Sequence, residues 1–541
     1  MRDKLKNLLE EFVQNKGLVL KGTFSVFSPE NKEFGDFSTN LAFKIESSGR
    51  KIPEVASELR SMLSELPWAV EMCEKIEQRN GFLNFFLKHA PLQSTIGDVL
   101  TAGSDYGRSD AGKGNSVLIE FVSANPTGPL TIAHGRQAAY GEALARALSF
   151  AGWEVTKEYY LNDCGRQMEM LGESLRIHFL QLRGKQLSFP EDGYRGKYLQ
   201  DIAKTLPDSY ESADTAAFLA LAKEAIIASI KKDLRDFDVH FDSWVNESTL
   251  RENGKVEETL EMLAGKSLTY EKDGALWFCS TRFGDDKDRV LRKQDGSYTY
   301  LAPDIAYHRE KILRNYTHLV NIWGPDHNGY IPRMKAALAA FGFSVEHARF
   351  ITVQLTTLYR GAEKISMSTR RGEFISLREL IEEVGPDAAK FFFLFRRADS
   401  HLDFDLELAK KKTDENPIYY LQYGFVRAQH ILNHAIECGY VLDEAKHADF
   451  SLLSLNQERE LVKKITSFPR IIEQISGDFE ISRLAHYLHD LARLFHSYYQ
   501  KVRVVTDNRE VSLARIALTQ CFLHVVQNGL QLLGISRPDR M

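Results

Sequence analysis

The chain has 541 residues, 43% hydrophobic and 26% charged, an ordinary balance for a globular protein and enough length for roughly three to four domains. A formal net charge of -5 excludes a global basic field, so any nucleic acid has to be held by local patches. The five cysteines (Cys73, Cys164, Cys279, Cys438 and Cys521) are scattered with no CxxC pair, so neither a zinc site nor a disulfide framework is implied, which fits a reducing cytoplasm.

The opening MRDKLKNLLEEFVQ has the spacing of an amphipathic helix with interspersed charge, not of a signal peptide. Residues 1–112 read as a small α/β unit, with the segment EFGDFSTN at 33–40, a helix over 52–66 and a strand over 81–87. A Gly, Ser and Asp-rich linker at 101–116 marks a boundary; its Gly112-Lys113-Gly114 lacks the spacing of a P-loop. From 117 the pattern is strand (117–122), helix (about 133–151) and strand (153–161), half of a doubly wound fold. Residues 173–284 are more helical and polar and read as an insertion between two halves. The second half starts near Arg289, with strands at 317–323 and 349–355 around a helix at 328–341. A loop over 359–374 and helices at 377–384 and 386–396 follow.

The most apolar run, 388–395, is far too short to span a bilayer. Beyond about 405 every strong pattern is helical: 418–435, 455–475, 481–502 and 512–533. The expected fold class is therefore multidomain α/β. It comprises an N-terminal α/β unit (1–112), a doubly wound Rossmann-type catalytic domain (113–404) and a C-terminal α-helical bundle (405–541).

Three segments carry candidate chemistry. The run SANPTGPLTIAHGR at 123–136 joins a buried strand to a helix, and a turn crowded with Pro and Gly brings backbone close to a ligand. It also aims the N–H groups of the helix N-terminus, where His134 stands, at an anion. The segment WGPDH at 323–327 again ends a strand and opens a helix. Gly324 permits close approach there, Asp326 can accept from ribose hydroxyls, and His327 can donate to phosphate or ribose. A basic loop at 361–377 offers Lys364, Arg370 and Arg371 after the last sheet strand. Tyr300 and Asp304, four residues apart, share a face if they lie on one helical turn.

The 123–136 run resembles the HIGH signature of class I aminoacyl-tRNA synthetases, and EFVSAN at 120–125 with HGR at 134–136 resembles the arginyl branch. The four signature places read Thr131, Ile132, Ala133 and His134. Ser366, Met367, Ser368, Thr369 and Arg370 are similar to the KMSKS loop of that class, with both lysines replaced. A lysine before HIGH can stand in for the second of these within the family, but the equivalent place here is Gly128.

The resemblance implies an arginine–tRNA ligase that uses ATP with magnesium as substrate, carries no prosthetic group or resident metal, and works on tRNA. His134, Thr131, Lys364 and Arg370 would then be catalytic. ATP would meet Thr131, Ala133 and His134 from one turn, Gly324, Asp326 and His327 from the other, and Met367 and Ser368 from the loop. By the same resemblance Tyr300 and Asp304 would hold the guanidinium end of arginine. Asn125 and Gln354 would hold its amino and carboxylate end, with Glu120 and Ser123 beside them, and Asn162, Asp163 and Gln167 would edge the pocket.

The segments 33–40 and 80–87 resemble the extra domain this family places on the tRNA elbow, which implicates Phe34, Asn40 and Asn84. The helical C-terminal part resembles the anticodon-binding domain and implicates Tyr419, Tyr423, Arg427 and the closing Met541. A monomer in the cytoplasm with no membrane partner is expected. Two alternatives stand beside this reading: a class I synthetase for another amino acid, and a non-catalytic RNA-binding paralogue.

Overall fold

The computed structural model describes residues 2–27, 29, 31–46, 49–365 and 375–541. Its first unit is an antiparallel sheet of β1 (Val26–Phe27), β2 (Phe37–Thr39), β3 (Cys73–Arg79) and β4 (Phe82–Leu87), in the order β1-β2-β4-β3. Helices α1 (Arg2–Asn15) and α2 (Ile52–Ser64) pack on it. Leu5, Leu9 and Phe12 fall on one stripe of α1 and are buried, as a helix-period apolar pattern requires. Helix α3 (His89–Ala102) then leaves this unit and packs against the C-terminal helices.

The centre of the molecule is a parallel sheet in two halves. The first contains β5 (Ser116–Glu120), α4 (Ile132–Phe150), β6 (Glu154–Leu161), α5 (Arg166–Leu182), α6 (Thr215–Asp236) and β7 (Ser243–Asn246). A small antiparallel sheet of β8 (Thr269–Lys272), β9 (Ala275–Phe278) and β10 (Arg289–Arg292) intervenes. The second half is α7 (Leu301–Leu313), β11 (His318–Trp323), α8 (Ile331–Ala340) and β12 (Ala348–Thr352).

The strand order is β12-β11-β5-β6-β7, and every neighbouring pair is parallel. The halves thus wind outward from the central pair β5 and β11. That is the topological switch point, where a doubly wound sheet opens a crevice beyond its carboxyl ends. Val117, Leu118 and Ile119 of β5 are at most 1% exposed, the apolar run of a strand covered on both faces. Helix α4 lies so close to the sheet that a Cβ on Gly141 would meet the Phe121 ring at 2.3 Å.

Residues 173–284 depart from the sequence expectation, because they supply β7, the fifth strand of the main sheet, as well as the outlying helices and β8 and β9. Four half-buried residues are too few to show a two-residue period. The expected helix at 328–341 is a 3-10 turn, Pro325–Tyr330, followed by α8, since Pro325 and Pro332 each open a new element.

After β12 the chain forms β13 (Thr356–Arg360), β14 (Glu363–Lys364), α9 (Leu377–Val384), α10 (Pro386–Leu394) and β15 (Leu402–Asp405). The segment expected as a loop from 359 therefore begins as a hairpin, turning at Gly361 with φ 63°.

The C-terminal bundle consists of α11 (Pro417–Glu437), α12 (Asn456–Thr466), α13 (Phe468–Asp478), α14 (Ser482–Lys501) and α15 (Arg509–Leu532). The single helix expected over 455–475 is split at Ser467, because Pro469 has no N–H to continue the ladder. The bundle docks against the parallel-sheet domain: Tyr140 of α4 donates to the Phe479 carbonyl at 2.6 Å, and the Trp153 indole donates to Ser476 Oγ at 2.7 Å. Asp36 of the N-terminal unit pairs with Lys463 and, at 3.5 Å, with Arg459. Among the described residues no helix is long and apolar enough to cross a membrane.

Candidate functional site

At the carboxyl end of β5 the chain takes a left-handed turn with two non-glycine residues, Val122 (φ 67°) and Ser123 (φ 39°). A β-branched residue in that region is strained and has to be held by its surroundings. Ser123 Oγ donates to Glu120 Oε1 at 2.9 Å and accepts from the Tyr160 N–H at 3.1 Å, so its hydroxyl is committed to the turn. Asn125 follows, donating to Gln167 Oε1 at 2.9 Å.

The run ends at Thr131, the N-cap of α4. His134 Nδ1 accepts from the Thr131 N–H at 3.1 Å and lies 3.2 Å from its hydroxyl. These bonds assign the ring proton to Nε2, which has no partner among the described residues. Burial pushes the His134 pKa down to about 4, against the pull of Asp326, so the ring is neutral at physiological pH and offers one N–H. Ala133 is half-buried in the same helical turn.

The second turn faces the first. A Cβ on Gly324 would lie 3.7 Å from Gln137 Nε2 of α4, an ordinary contact distance that places the 323–327 segment against the start of that helix. The side chains of Asp326 and His327 are 78% and 53% exposed, with 3.5 Å between Oδ2 and Nε2. A third segment closes the group. Thr131 bridges Ser376 in antiparallel register, and the Leu377 N–H donates to the Leu130 carbonyl at 2.8 Å. Lys364 is exposed on β14. Met367, Ser368 and Arg370 lie outside the described residues.

Buried carboxylates surround the end of the sheet, and most are matched to a cation of the chain itself. Glu120 takes Lys311 Nζ at 2.5 Å, while Lys311 also donates to Asn321 Oδ1 at 2.8 Å. Glu158 takes Arg314 at 2.6 and 2.8 Å, Glu247 takes Arg251 at 2.9 and 2.5 Å, and Asp163 takes Lys223. Asp304 on α7, half-buried, is different. Its Oδ2 accepts from the Tyr330 hydroxyl at 2.7 Å, and no cation is paired with it among the described residues. Burial, reinforced by Glu120 and Glu247, pushes its pKa up to about 7 in spite of the Tyr330 hydrogen bond and the Lys311 charge.

Tyr330 belongs to the turn that carries Asp326, so its hydrogen bond ties Asp304 to the second turn. The aromatic partner of Asp304 is thus Tyr330 and not, as the four-residue spacing suggests, Tyr300. Tyr300 stands at the N-cap of α7, 74% exposed. Glu120, expected beside Asn125 and Gln354, accepts from Lys311 inside the chain. Gln354 is half-buried; its N–H donates to Ala398 and its carbonyl accepts from Arg136 at 2.9 Å. Sequence reasoning missed Tyr330, Glu247 and Lys311, because no short spacing links 304 to 330, 247 or 120. Among the described residues no group of three or more His, Cys, Asp or Glu is placed to hold a metal.

A second candidate surface lies on the bundle. Tyr423, Arg427, His430, Tyr499, Arg503 and Met541 line a cleft of about 550 Å³. The Arg427 guanidinium sits 4.5 Å from the Tyr423 ring centre and 4.6 Å from that of Tyr499, while the Tyr419 ring lies parallel to Tyr423 at 6.1 Å. Flat rings with a sandwiched cation suit unpaired bases and phosphate. On the N-terminal unit, Arg79 lies over the half-buried Phe34 ring at 5.4 Å, and Asn40 Oδ1 accepts from the Ser25 N–H at 2.7 Å. Asn84 is 2% exposed in β4, which corrects its expected place as a surface contact for RNA.

Three family descriptions match the chain in succession: "Arginyl tRNA synthetase N terminal domain" over 1–87, "tRNA synthetases class I (R), catalytic domain" over 95–392 and "DALR anticodon binding domain" over 421–541. The chain is 43% identical over 529 residues to an arginine–tRNA ligase of Geobacter sp. (strain M21), covering 96% of this chain and 95% of that protein. It is also 43% identical over 555 residues to arginine–tRNA ligase 1 of Halalkalibacterium halodurans, covering 100% and 99%. Among solved structures, the arginyl-tRNA synthetase of Thermus thermophilus matches with a TM-score of 0.79 at 21% identity over all of both chains, a likeness of fold.

Proposed function

We propose a division of labour among the residues of this chain, which belongs to the class I arginyl-tRNA synthetases and is an arginine–tRNA ligase. The carboxylate of arginine attacks the α-phosphate of ATP and expels pyrophosphate, and the arginyl group of the adenylate then passes to a ribose hydroxyl at the 3′ end of tRNA, releasing AMP. Such chemistry depends on positioning and on neutralising charge as it develops. His134 Nε2–H and the Thr131 hydroxyl donate to phosphate oxygens. Gly324 and Ala133 flank the base and sugar, and Asp326 and His327 take the ribose. Lys364 and Arg370 neutralise the departing pyrophosphate, in place of the lysines that the loop lacks. Magnesium comes with the nucleotide as its phosphate complex.

Asp304 takes the guanidinium, whose planar fork of donors fits one carboxylate with neighbouring hydroxyls. Asn125 and Gln354 read the amino and carboxylate end. Tyr419, Tyr423, Arg427 and Met541 receive an unpaired base, with Phe34 and Asn40 on the tRNA elbow. The enzyme is taken to act as a monomer in the cytoplasm.

The observation that carries this reading is Asp304, which, unlike Glu120, Glu158, Glu247 and Asp163 at the end of the sheet, has no internal cation among the described residues, beside two turns suited to a nucleotide. The test is aminoacylation by the purified chain with ATP, tRNA and each amino acid in turn. Charging with arginine alone is expected. Charging with another amino acid would overturn the pocket, and RNA binding without any charging would favour the non-catalytic alternative.

The pocket also predicts a proton linkage. Free Asp304 titrates at about 7, and a bound guanidinium favours its ionised form, so binding releases a proton near neutrality. Arginine affinity is expected to rise with pH up to about 7 and to level off above it. Calorimetric titration in buffers of different ionisation enthalpy measures the release; proton uptake, or none at pH 6.5, would contradict the pairing.

A further inference from the structure

Tyr159 of β6 is 0% exposed, its ring stacked on Trp244 at 4.2 Å and edge-on to Phe241 at 5.3 Å. Its hydroxyl does two things for one residue: it accepts from the Ala124 N–H at 3.1 Å and donates to the Ala124 carbonyl at 3.0 Å. Ala124 is 7% exposed, and among the described residues neither of its backbone groups has another partner. The peptide held in this way is no ordinary one. It directly follows the left-handed Val122 and Ser123 and directly precedes Asn125. A strained turn persists only while neighbouring contacts over-determine it, and the aromatic packing leaves the Tyr159 oxygen no freedom to follow if the turn relaxes.

We propose that Tyr159 is a positioning residue for amino-acid recognition: by pinning both backbone groups of Ala124 it keeps the strained turn in place and so fixes where Asn125 stands. This rests on the reading of Asn125 as a contact to the amino end of arginine. Tyr159 itself touches no substrate. Its burial holds the phenol protonated across the working pH range, so it remains a donor throughout.

The test uses the full-length enzyme with tRNA and compares Tyr159→Phe, Asn125→Ala and the double variant. Kinetic constants for arginine and for ATP are measured separately, alongside the thermal midpoint. Tyr159→Phe removes one oxygen and leaves two buried backbone groups unpaired; it is expected to raise the KM for arginine about tenfold, which is about 1.4 kcal/mol, with the KM for ATP within about twofold. Asn125→Ala raises the arginine KM at least as much, and adding Tyr159→Phe to it changes that KM little further.

Equal rises in both KM values, or a drop in thermal midpoint alone, would make Tyr159 merely structural and overturn the proposal. So would effects that multiply in the double variant. An unchanged arginine KM in Asn125→Ala would instead sink the reading of Asn125, and this route with it. A normal response there with a silent Tyr159→Phe would sink the role of Tyr159 alone.

Discussion

Replacing Asp304 by alanine is expected to raise the KM for arginine by two to three orders of magnitude while leaving the enzyme folded. Removing one partner of an enclosed ion pair costs about 3–5 kcal/mol, because the other charge is left without compensation. Here the stranded charge belongs to the substrate, so the cost falls on binding. The other enclosed carboxylates cannot take over, since Glu120, Glu158 and Glu247 are each held by Lys311, Arg314 or Arg251.

The free enzyme should respond in the opposite sense. Asp304 has its folded pKa raised to about 7 from 3.8, so its ionised form burdens the fold above pH 7, and that burden is absent below pH 3.8. It amounts to at most about 4 kcal/mol. Asp304→Ala should therefore melt at the same temperature as the parent or higher at pH 8, even as arginine recognition collapses. A wild-type KM for arginine would place the guanidinium elsewhere. A lower melting temperature at pH 8 would show that Asp304 is a structural group.

His134→Ala is expected to lower kcat about 10²–10³-fold in tRNA-dependent ATP–pyrophosphate exchange, the scale seen when one pre-aimed donor to a developing charge is lost. The structural cost should be small by comparison. The ring's other nitrogen only caps the helix through the Thr131 N–H, and losing a cap costs about 1 kcal/mol. Because the His134 pKa lies at about 4, the imidazole is uncharged from pH 5 upward, and its removal should lower the pH–rate curve without shifting its acid limb. A kcat within threefold of the parent would remove His134 from the phosphate site.

Much of this arrangement could be read from the chain. The apolar run around Val117–Ile119 and the Pro and Gly-rich turn after it announced a doubly wound strand and crossover, and both lie at the switch point. The long apolar periods beyond residue 405 gave the helices of the bundle. What stayed hidden depends on distance along the chain. Nothing local ties Tyr330 to Asp304, or Lys311 to Glu120 across 191 positions, and these meetings decide which carboxylate is free. The turn at Val122 was equally opaque, because a valine carries no signal for a left-handed backbone. Its ties run to Tyr159 and Tyr160 of β6, 35 residues beyond Ala124 and 37 beyond Ser123. The short strand β7 hid for a simpler reason: four half-exposed residues have no period to detect.

The pairing of β5 with β11 has a consequence for biogenesis. His318 to Asn321 lie against Val117 to Glu120, some two hundred residues earlier, and Thr317 donates to the Ser116 carbonyl across the same gap. During synthesis β5 therefore waits with one backbone edge unpaired until Trp323 has cleared the ribosome. Bare edges of that kind invite aggregation, and closing so long a loop is slow. Nascent chains stalled before residue 317 should occupy a chaperone, whereas those stalled well past 352 should be released from it.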